Sequence, residues 1–174
     1  ALETKLTYTI DEDEAYELAI DLYNNNVGYK EVFRIIAMKE SREGNHIGAE
    51  EYWVKYANEN NIEKKYAFIG ARSLYNAKNW KVTKKIILNN IKIEELNIYD
   101  NTDFGILDLL MRAHHSLHEW KYSHKISQIL RKRNYNHKNS ITCMESAERY
   151  LKEEDLEYIN KIEYSEIKDK IKII

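Results

Sequence analysis

Apolar residues recur every three or four positions along almost the whole chain, which is the spacing that one face of an α-helix requires. In the first such segment, 13–27, the apolar stripe is Ala15, Leu18, Ala19 and Leu22. The other segments with this spacing run from Tyr29 to Gly44, over 47–59, 62–78, 80–92, 103–118, 121–134 and 140–152, and as a final pair across 153–174. The pattern therefore predicts an all-α fold of about eight to nine helices.

The polar positions between these segments predict where the helices begin and end. Asp11 followed by Glu14 has the spacing of a capping box, in which side chains satisfy the first free amides of a helix. Gly28 and Gly44 are expected to end the first two helices, because glycine readily adopts the left-handed conformation found after a helix. The connections are short, roughly two to ten residues, so successive helices are expected to pack antiparallel.

Three stretches of the chain resemble one another. The sequence LYNAKNWKVTKKIIL at 74–88 aligns with LYNNNVGYKEVFRII at 22–36, with one residue skipped at the turn, and with HHSLHEWKYSHKISQ at 114–128. In each stretch an aromatic residue follows the turn and opens the next helix, where it can fix the angle between two helices. These aromatic residues are Tyr29, Trp80 and Trp120. The small residues expected to let helices approach closely are Ala19, Gly70, Ala71 and Ala113.

The stretch ARSLYNAKNWKVTKKII resembles the middle of a tetratricopeptide repeat (TPR), with a small residue, Leu-Tyr, a polar turn, an aromatic residue and an aliphatic second helix. The units that share the resemblance are 13–43, 64–95 and 104–135. The resemblance implies a single repeat domain over 1–174, in which antiparallel helix pairs stack as a TPR-like superhelix. The remaining elements are an extra helix at 47–59 and capping helices at 140–174. A generic α/α-repeat and an irregular helical bundle are the alternatives, because the chain lacks proline and the repeat interval is 40 instead of about 34 residues.

Composition narrows the class of protein further. The chain has no proline and only five glycines, which permits long helices and argues against a β-sandwich or barrel. Its net charge of −2 gives no general attraction to nucleic acid or membranes, although 11–21 is acidic and 121–138 is basic. No stretch resembles a signal peptide or approaches the ~18 apolar residues of a membrane span, so we expect a soluble domain, with the cytoplasm favoured. Because the chain opens without methionine, we expect it to be a fragment of a longer protein.

The segment RAHHSLHEW raises the question of a metal site, because His114 and His118 lie four residues apart. The alignment places His114 at the inward-facing position of Leu74, as a core histidine with one hydrogen-bond partner, and His118 at an exposed turn. Zinc requires three or four converging ligands; His124 in the next helix is a possible third and Cys143 a possible fourth, but the HExxH motif and a CxxC companion for Cys143 are absent. We therefore expect no metal and no cofactor. Cys143 is expected to be a small buried hydrophobic residue.

The resemblance implies a concave groove, lined by the first helix of each repeat, that binds a partner. Arg72 and Arg112 each lie eight residues before a corner tryptophan and so occupy equivalent positions in two repeats. The residues three and four positions further along share roughly that face of the helix. The predicted partner-binding residues are therefore Arg72, Tyr75, Asn76, Arg112, His115 and Ser116. Repeated arginines offer forked donors to carboxylates or phosphates, which favours a protein or peptide with acidic groups as the partner.

The sequence therefore favours a non-catalytic protein–protein interaction or scaffold module. No catalytic residues are predicted, because the chain has neither a glycine-rich phosphate loop nor a GxSxG nucleophile turn. One alternative is an accessory helical domain of a larger bacterial enzyme that modifies glycans or surface polysaccharides. Another is nucleic-acid binding through 121–138, which the balanced overall charge disfavours. The apolar side of the carboxy-terminal segment, with Ile167, Ile171 and Ile174, is expected to cap the fold or to dock on a neighbouring molecule, including a second copy of the chain.

Overall fold

The computed structural model describes residues 11–167, and these fold into helices joined by short turns. The α-helices of this range are α1 (Glu12–Asn24), α2 (Lys30–Arg42), α3 (His46–Ala57), α4 (Lys64–Asn76), α5 (Trp80–Asn90), α6 (Asn101–Ser116), α7 (Trp120–Arg131), α8 (Lys138–Tyr150) and α9 (Glu153–Asn160). Short 3₁₀ turns at Ile93–Glu95 and Tyr164–Glu166 precede α6 and follow α9. No β-strand occurs between residues 11 and 167, so the prediction of an all-α fold is confirmed.

The beginnings of several helices follow from the polar residue just before them. Asp11 accepts a hydrogen bond from the backbone amide of Glu14 at 2.8 Å, as the spacing of the two residues predicts. Asn45 and Asp100 cap α3 and α6 through the same kind of bond. Each cap satisfies an amide that has no partner within the helix, which fixes where the helix begins.

The three aligned stretches end their first helix in the same backbone geometry. Asn26, Lys78 and His118 occupy the same place in the alignment and have left-handed φ angles of 60°, 63° and 58°. In each turn the next amide bonds to the carbonyl five residues earlier, at 2.8 to 2.9 Å. This arrangement is a Schellman motif. Each turn is followed by the predicted aromatic residue at or just before the first residue of the next helix.

The two glycines that were expected to end helices behave differently. Gly44 has a φ of +78° just after α2, as predicted. The prediction that Gly28 ends α1 is wrong, because α1 ends at Asn24 and Asn26 takes the left-handed conformation instead. Asparagine tolerates this conformation better than other residues with a side chain, so a glycine is not required there.

Contacts within the chain divide it after Asn90 into two compact units. The first unit contains α1 to α5, the second contains α6 to α9, and each has its own core. The single repeat domain and the TPR-like superhelix stay predictions. Of the carboxy-terminal isoleucines, Ile167 is buried, whereas Ile171 and Ile174 lie outside the described residues.

In the first unit α2, α3 and α4 pack against one another, and α5 packs on α3 and α4. Trp53 of α3 is fully buried at their centre. A Cβ atom at Gly70 of α4 would lie 2.8 Å from the Trp53 ring, closer than carbon atoms pack. The prediction that Gly70 lets helices approach closely is therefore confirmed.

In the second unit α6, α7 and α8 pack against one another, and α7 also contacts α9 and the turn at Tyr164–Glu166. The fully buried side chains at these contacts are Leu110, Met111, Ile126 and Leu130. Cys143 of α8 is buried as predicted, and burial raises the pKa of its thiol to about 12. A thiol with so high a pKa stays protonated at neutral pH, so it packs as a small hydrophobic group.

Candidate functional site

The six predicted partner-binding residues fall into two groups of three. Arg72, Tyr75 and Asn76 lie near the carboxyl end of α4 in the first unit. Arg112, His115 and Ser116 lie near the carboxyl end of α6 in the second unit. A single groove that contains all six stays a prediction, and each group has its surroundings in its own unit.

Two residues of the first group, Arg72 and Asn76, border a cavity of about 430 Å³ in the first unit. The cavity lies where the carboxyl end of α2, the start of α3 and the carboxyl-terminal half of α4 meet. Its lining residues are Met38, Ser41, Arg42, His46, Ile69, Arg72, Ser73 and Asn76. We call it the Arg42–Arg72 cavity. Its lining contains two arginines and no acidic residue, and it includes two of the three residues predicted in this unit.

A chain of hydrogen bonds forms the base of the Arg42–Arg72 cavity. The indole Nε1 of Trp53 donates to Ser41 Oγ at 2.8 Å, and Ser41 Oγ lies 2.8 Å from Ser73 Oγ. Ser73 Oγ lies 2.9 Å from Nδ1 of His46. Trp53 and Ser73 are buried, so this network is anchored in the core of the unit and holds the imidazole in place.

The two arginines at the rim of the cavity differ in their partners. Arg42 forms an ion pair with Glu12 of α1, and both side chains are largely exposed. The Arg72 guanidinium lies over the Phe68 ring, 5.6 Å from its centre, and is exposed. No carboxylate among residues 11–167 pairs with Arg72. Arg72 therefore brings a positive charge to the rim that the described chain does not neutralise.

Arg112 occupies the equivalent position in α6 but has an internal partner. Its guanidinium lies 3.1 Å from a carboxylate oxygen of Asp108, one turn earlier on the same helix. Asp108 also accepts a hydrogen bond from the Asn139 amide at 3.2 Å and lies 3.6 Å from Nε2 of His137. Phe68 occupies the place of Asp108 in α4, so the two arginines have different neighbours on their own helices.

His115, predicted to contact a partner, belongs to an aromatic cluster of the second unit. Its ring meets the Trp120 ring edge to face at 5.5 Å. The rings of His118 and Tyr150 stack on Trp120 at 5.0 and 4.7 Å. Burial and the neighbouring His118 both lower the pKa of His115, so its neutral form is favoured.

His114 is a core residue, as the alignment predicts. It is 2% exposed, and both of its ring nitrogens have partners instead of the one that was expected. Nδ1 lies 2.9 Å from a carboxylate oxygen of Glu119, and Nε2 lies 2.7 Å from the hydroxyl of Tyr164. Burial raises the pKa of Tyr164, so its hydroxyl stays protonated. His118 lies exposed at the turn, also as predicted.

His124, the third histidine that the sequence suggests as a metal ligand, is a buried residue. His124 is 3% exposed, and its Nε2 lies 3.3 Å from a carboxylate oxygen of Glu148. Burial lowers the pKa of His124, which favours the neutral imidazole. Among residues 11–167, no three His, Cys, Asp or Glu side chains are grouped so that they could hold a metal ion.

Several cations of the basic stretch 121–138 are engaged within the second unit. Lys121 lies 3.7 Å from a carboxylate oxygen of Asp155. Lys125, Arg131 and Arg133 donate to backbone carbonyls at 2.9 to 3.1 Å. Cations held in this way have less freedom to follow the phosphates of a nucleic acid, so the stretch offers a weaker binding surface than its composition indicates.

A second cavity of the first unit, about 520 Å³, is lined mainly by asparagine side chains. Its cation, Lys85, donates to Asn58 Oδ1 at 2.7 Å. The lining also contains Glu59, so it carries no net charge. An acidic partner therefore has less reason to enter this cavity than the Arg42–Arg72 cavity.

Sequence reasoning missed four polar residues of the Arg42–Arg72 cavity, Ser41 among them. Arg42, His46 and Ser73 come together only because α2, α3 and α4 pack side by side. The sequence alignment left α3 outside the repeats, so it gave no signal that His46 approaches α4. Tyr164, the partner of His114, is fifty positions away along the chain and was missed for the same reason.

Comparisons with protein-family models, with curated proteins and with solved structures found no match to this chain. Within residues 11–167, none of the helices has both the length and the apolar character that crossing a bilayer requires. The candidate function therefore depends on the chemistry of the site alone.

Proposed function

We propose that this chain is a non-catalytic module that binds a protein segment carrying an acidic side chain, and that the Arg42–Arg72 cavity holds this side chain. The observation that carries the proposal is the setting of Arg72. Its guanidinium borders a cavity whose lining contains no carboxylate, and no carboxylate of residues 11–167 pairs with it. An acidic group from another molecule would supply the missing partner.

The chemistry of the rim suits this role. A guanidinium presents two parallel donors to the two oxygens of a carboxylate, which gives both attraction and a fixed orientation. The amide of Asn76 adds a donor beside it. The volume of about 430 Å³ is near the lower end of the range for ligand pockets, so the cavity admits about one or two side chains. The rest of the bound segment would then lie along the surface of α4.

Burial of Ser73 favours binding over catalysis at this site. Ser73 Oγ and Nδ1 of His46 have the separation of a nucleophile and its general base. Ser73 is only 2% exposed, however, and its hydroxyl also contacts Ser41. A substrate atom would have little access to that oxygen. The two residues are therefore better suited to form a fixed floor beneath the rim of the cavity.

We also propose that the three aligned stretches are diverged TPR-like repeats. The shared Schellman turns at Asn26, Lys78 and His118 support this, because the same hydrogen bond recurs at the same place in the alignment. The aromatic residue that follows each turn supports it as well. In such repeats the first helix of each pair is the binding element, which agrees with the use of α4 here.

An array of short synthetic peptides tests the proposal. Each peptide is made in two versions, one with Asp or Glu and one with Asn or Gln at the same positions. The labelled chain is applied as wild type and as Arg72→Gln. We expect wild type to retain a subset of acidic peptides at least about tenfold more strongly than their neutral versions. Arg72→Gln is expected to lose that difference.

Arg112→Gln is the matched control, because it removes the equivalent arginine of the second unit. Circular dichroism first establishes that both variants are folded. Retention of the same acidic peptides by wild type and Arg112→Gln, with loss by Arg72→Gln, supports the proposal. Equal retention of acidic and neutral peptides by wild type, or unchanged retention by Arg72→Gln, overturns it.

A further inference from the structure

The Arg42–Arg72 cavity contains more donors and more positive charge than one carboxylate requires. We propose that its ligand is a phosphoryl group, carried on a phosphorylated serine or threonine of the partner segment. This inference rests on the proposed function of the same cavity and specifies the anion that it selects.

The number and position of the donors point to phosphate. Arg42 and Arg72 stand on two different helices at the rim, and Asn76 lies one turn beyond Arg72 on α4. A carboxylate has two oxygens and is satisfied by one guanidinium, whereas a phosphate monoester has three terminal oxygens. Two guanidinium groups that approach from different helices can bind different pairs of phosphate oxygens at the same time. A single carboxylate needs only one of the two arginines, and Arg42 then keeps its pair with Glu12.

The charges of the cavity agree with this assignment. A phosphate monoester carries about −1.5 to −2 charges at pH 7, which two guanidinium groups balance. The charge of Arg42 is balanced by Glu12 within the chain. The side chains of Arg42 and Glu12 are 49% and 70% exposed, and an exposed ion pair contributes little to stability. A phosphoryl dianion can therefore displace Glu12 from Arg42, whereas a monoanion gains less from doing so.

The walls of the cavity accommodate the part of the side chain that carries the phosphate. Met38 and Ile69 are the apolar lining residues, and a phosphorylated serine or threonine presents a short aliphatic link between phosphate and backbone. At the base of the cavity, the His46 imidazole contacts the buried Ser73 hydroxyl. No acidic residue belongs to the lining, and Glu12, which pairs with Arg42 at the rim, is the carboxylate that the ligand displaces.

The exposed ion pair of Arg42 and Glu12 leads to a specific expectation for the variant Glu12→Gln. Because Glu12 competes with the ligand for Arg42, Glu12→Gln should bind a phosphorylated ligand about as well as wild type or several-fold more tightly. Arg42→Gln and Arg72→Gln should each weaken binding about tenfold or more. Arg112→Gln, in the second unit, should leave the affinity unchanged.

Nuclear magnetic resonance titration of the whole chain at pH 7.5 measures these affinities, since it detects weak binding. The probes are blocked tripeptides with phosphoserine, glutamate or serine between two alanines, and inorganic phosphate alone. For wild type we expect the phosphoserine peptide to bind about tenfold or more tightly than the glutamate peptide. Resonances of α2 and α4 around the cavity should shift as it binds.

Each other outcome has a separate meaning. Equal affinities for the phosphoserine and glutamate peptides would overturn the phosphoryl assignment, while the proposed binding of acidic segments would stand. Affinity for inorganic phosphate as high as that for the phosphoserine peptide would overturn the assignment to a peptide and favour a free phosphate ligand. Weaker binding by Glu12→Gln would overturn the role of Arg42. No binding of any probe at the cavity would overturn this inference, and the proposed function is then judged by the peptide array.

Discussion

Arg72 in the first unit and Arg112 in the second hold the same position relative to a tryptophan that opens the next helix, yet their guanidinium groups have different surroundings. Arg112 lies 3.1 Å from Asp108, and that carboxylate also contacts α8. Arg72 has Phe68 where Arg112 has Asp108, and its guanidinium borders an open cavity. A single difference one helical turn earlier thus separates an arginine that stabilises its own unit from one that can bind an external anion.

One histidine from each unit, His46 and His114, shows the same kind of difference in its surroundings. His46 is half-buried, and its hydrogen-bond network forms the base of a cavity that is open to solvent. His114 is buried, with Glu119 on one ring nitrogen and Tyr164 on the other. Polar networks in the core cost free energy when one partner is lost, whereas those at the surface can exchange a partner for water. The polar groups of the second unit are therefore expected to matter for stability, and those of the first for binding.

The largest expected effect on stability comes from replacing the two histidines by leucine. His114→Leu leaves the buried Tyr164 hydroxyl without its bond, removes the bond to Glu119, and should lower the free energy of unfolding by about 2–4 kcal/mol. His46→Leu should lower it by less than about 1 kcal/mol, because His46 is only half-buried and Ser73 keeps its contact with Ser41. Urea denaturation followed by circular dichroism measures both. Equal losses for the two variants would remove the distinction between the networks.

The next largest difference in the free energy of unfolding is expected between variants of the two arginines. Arg112→Gln takes the cation away from Asp108 and should lower the free energy of unfolding by about 1–2 kcal/mol. Arg72→Gln should change it by no more than about 0.5 kcal/mol, since that guanidinium is exposed and has no carboxylate partner in the described range. The same urea experiments provide the values. A larger loss for Arg72→Gln than for Arg112→Gln would contradict the assignment of roles.

Acid should destabilise the second unit through His124. Its pKa in the folded chain is lowered by burial, so below its ordinary value of 6.5 the unfolded chain binds a proton that the folded chain does not. Stability should therefore fall as pH drops below about 6.5, by at most about 1.4 kcal/mol per pH unit from this group. His124→Gln should reduce that slope, and His118→Gln, at an exposed turn, serves as the control. If the free energy of unfolding depends on pH in the same way in wild type and in His124→Gln, this role of His124 is excluded.

The smallest effect concerns the amino-terminal caps. Asp11 caps the first helix of the first unit with a bond of 2.8 Å, whereas the ring of His137 caps α8 in the second with a bond of 3.3 Å. Asparagine is a preferred cap, so His137→Asn should raise the free energy of unfolding by about 0.5 kcal/mol. Thermal denaturation detects such a change as a small rise in Tm. A fall in Tm would mean that contacts of the ring with Phe104 and Asp108 outweigh the cap.

The helices and turns could be predicted from the sequence because they depend on local patterns. Spacing of apolar residues identifies each helix, and the register of the repeats places His114 inside and His118 outside. The close approach of helices at Gly70 could also be predicted, because the residue at this position is small. Gly28 was misjudged because a nearby asparagine fills the left-handed position equally well.

The candidate site could be predicted only in part, because it depends on contacts between helices that are distant in sequence. Arg72 and Asn76 share one helix and were found from their spacing. Arg42 and His46 join them through the packing of α2, α3 and α4, which no periodic pattern encodes. The ion pair between Arg112 and Asp108 could have been predicted from the sequence, because Asp108 lies four residues before Arg112. This is the spacing of an ion pair on a helix.

The most direct test of the contrast between the two arginines observes both in one sample. In the ¹⁵N–¹H spectrum of arginine side chains, each Nε–Hε group gives its own signal, which single Arg→Lys variants assign. We expect the Arg72 and Arg42 signals to shift and saturate together as the phosphoserine tripeptide is added, while the Arg112 signal stays in place. A saturable shift of the Arg112 signal, with the Arg72 signal unmoved, would contradict this expectation.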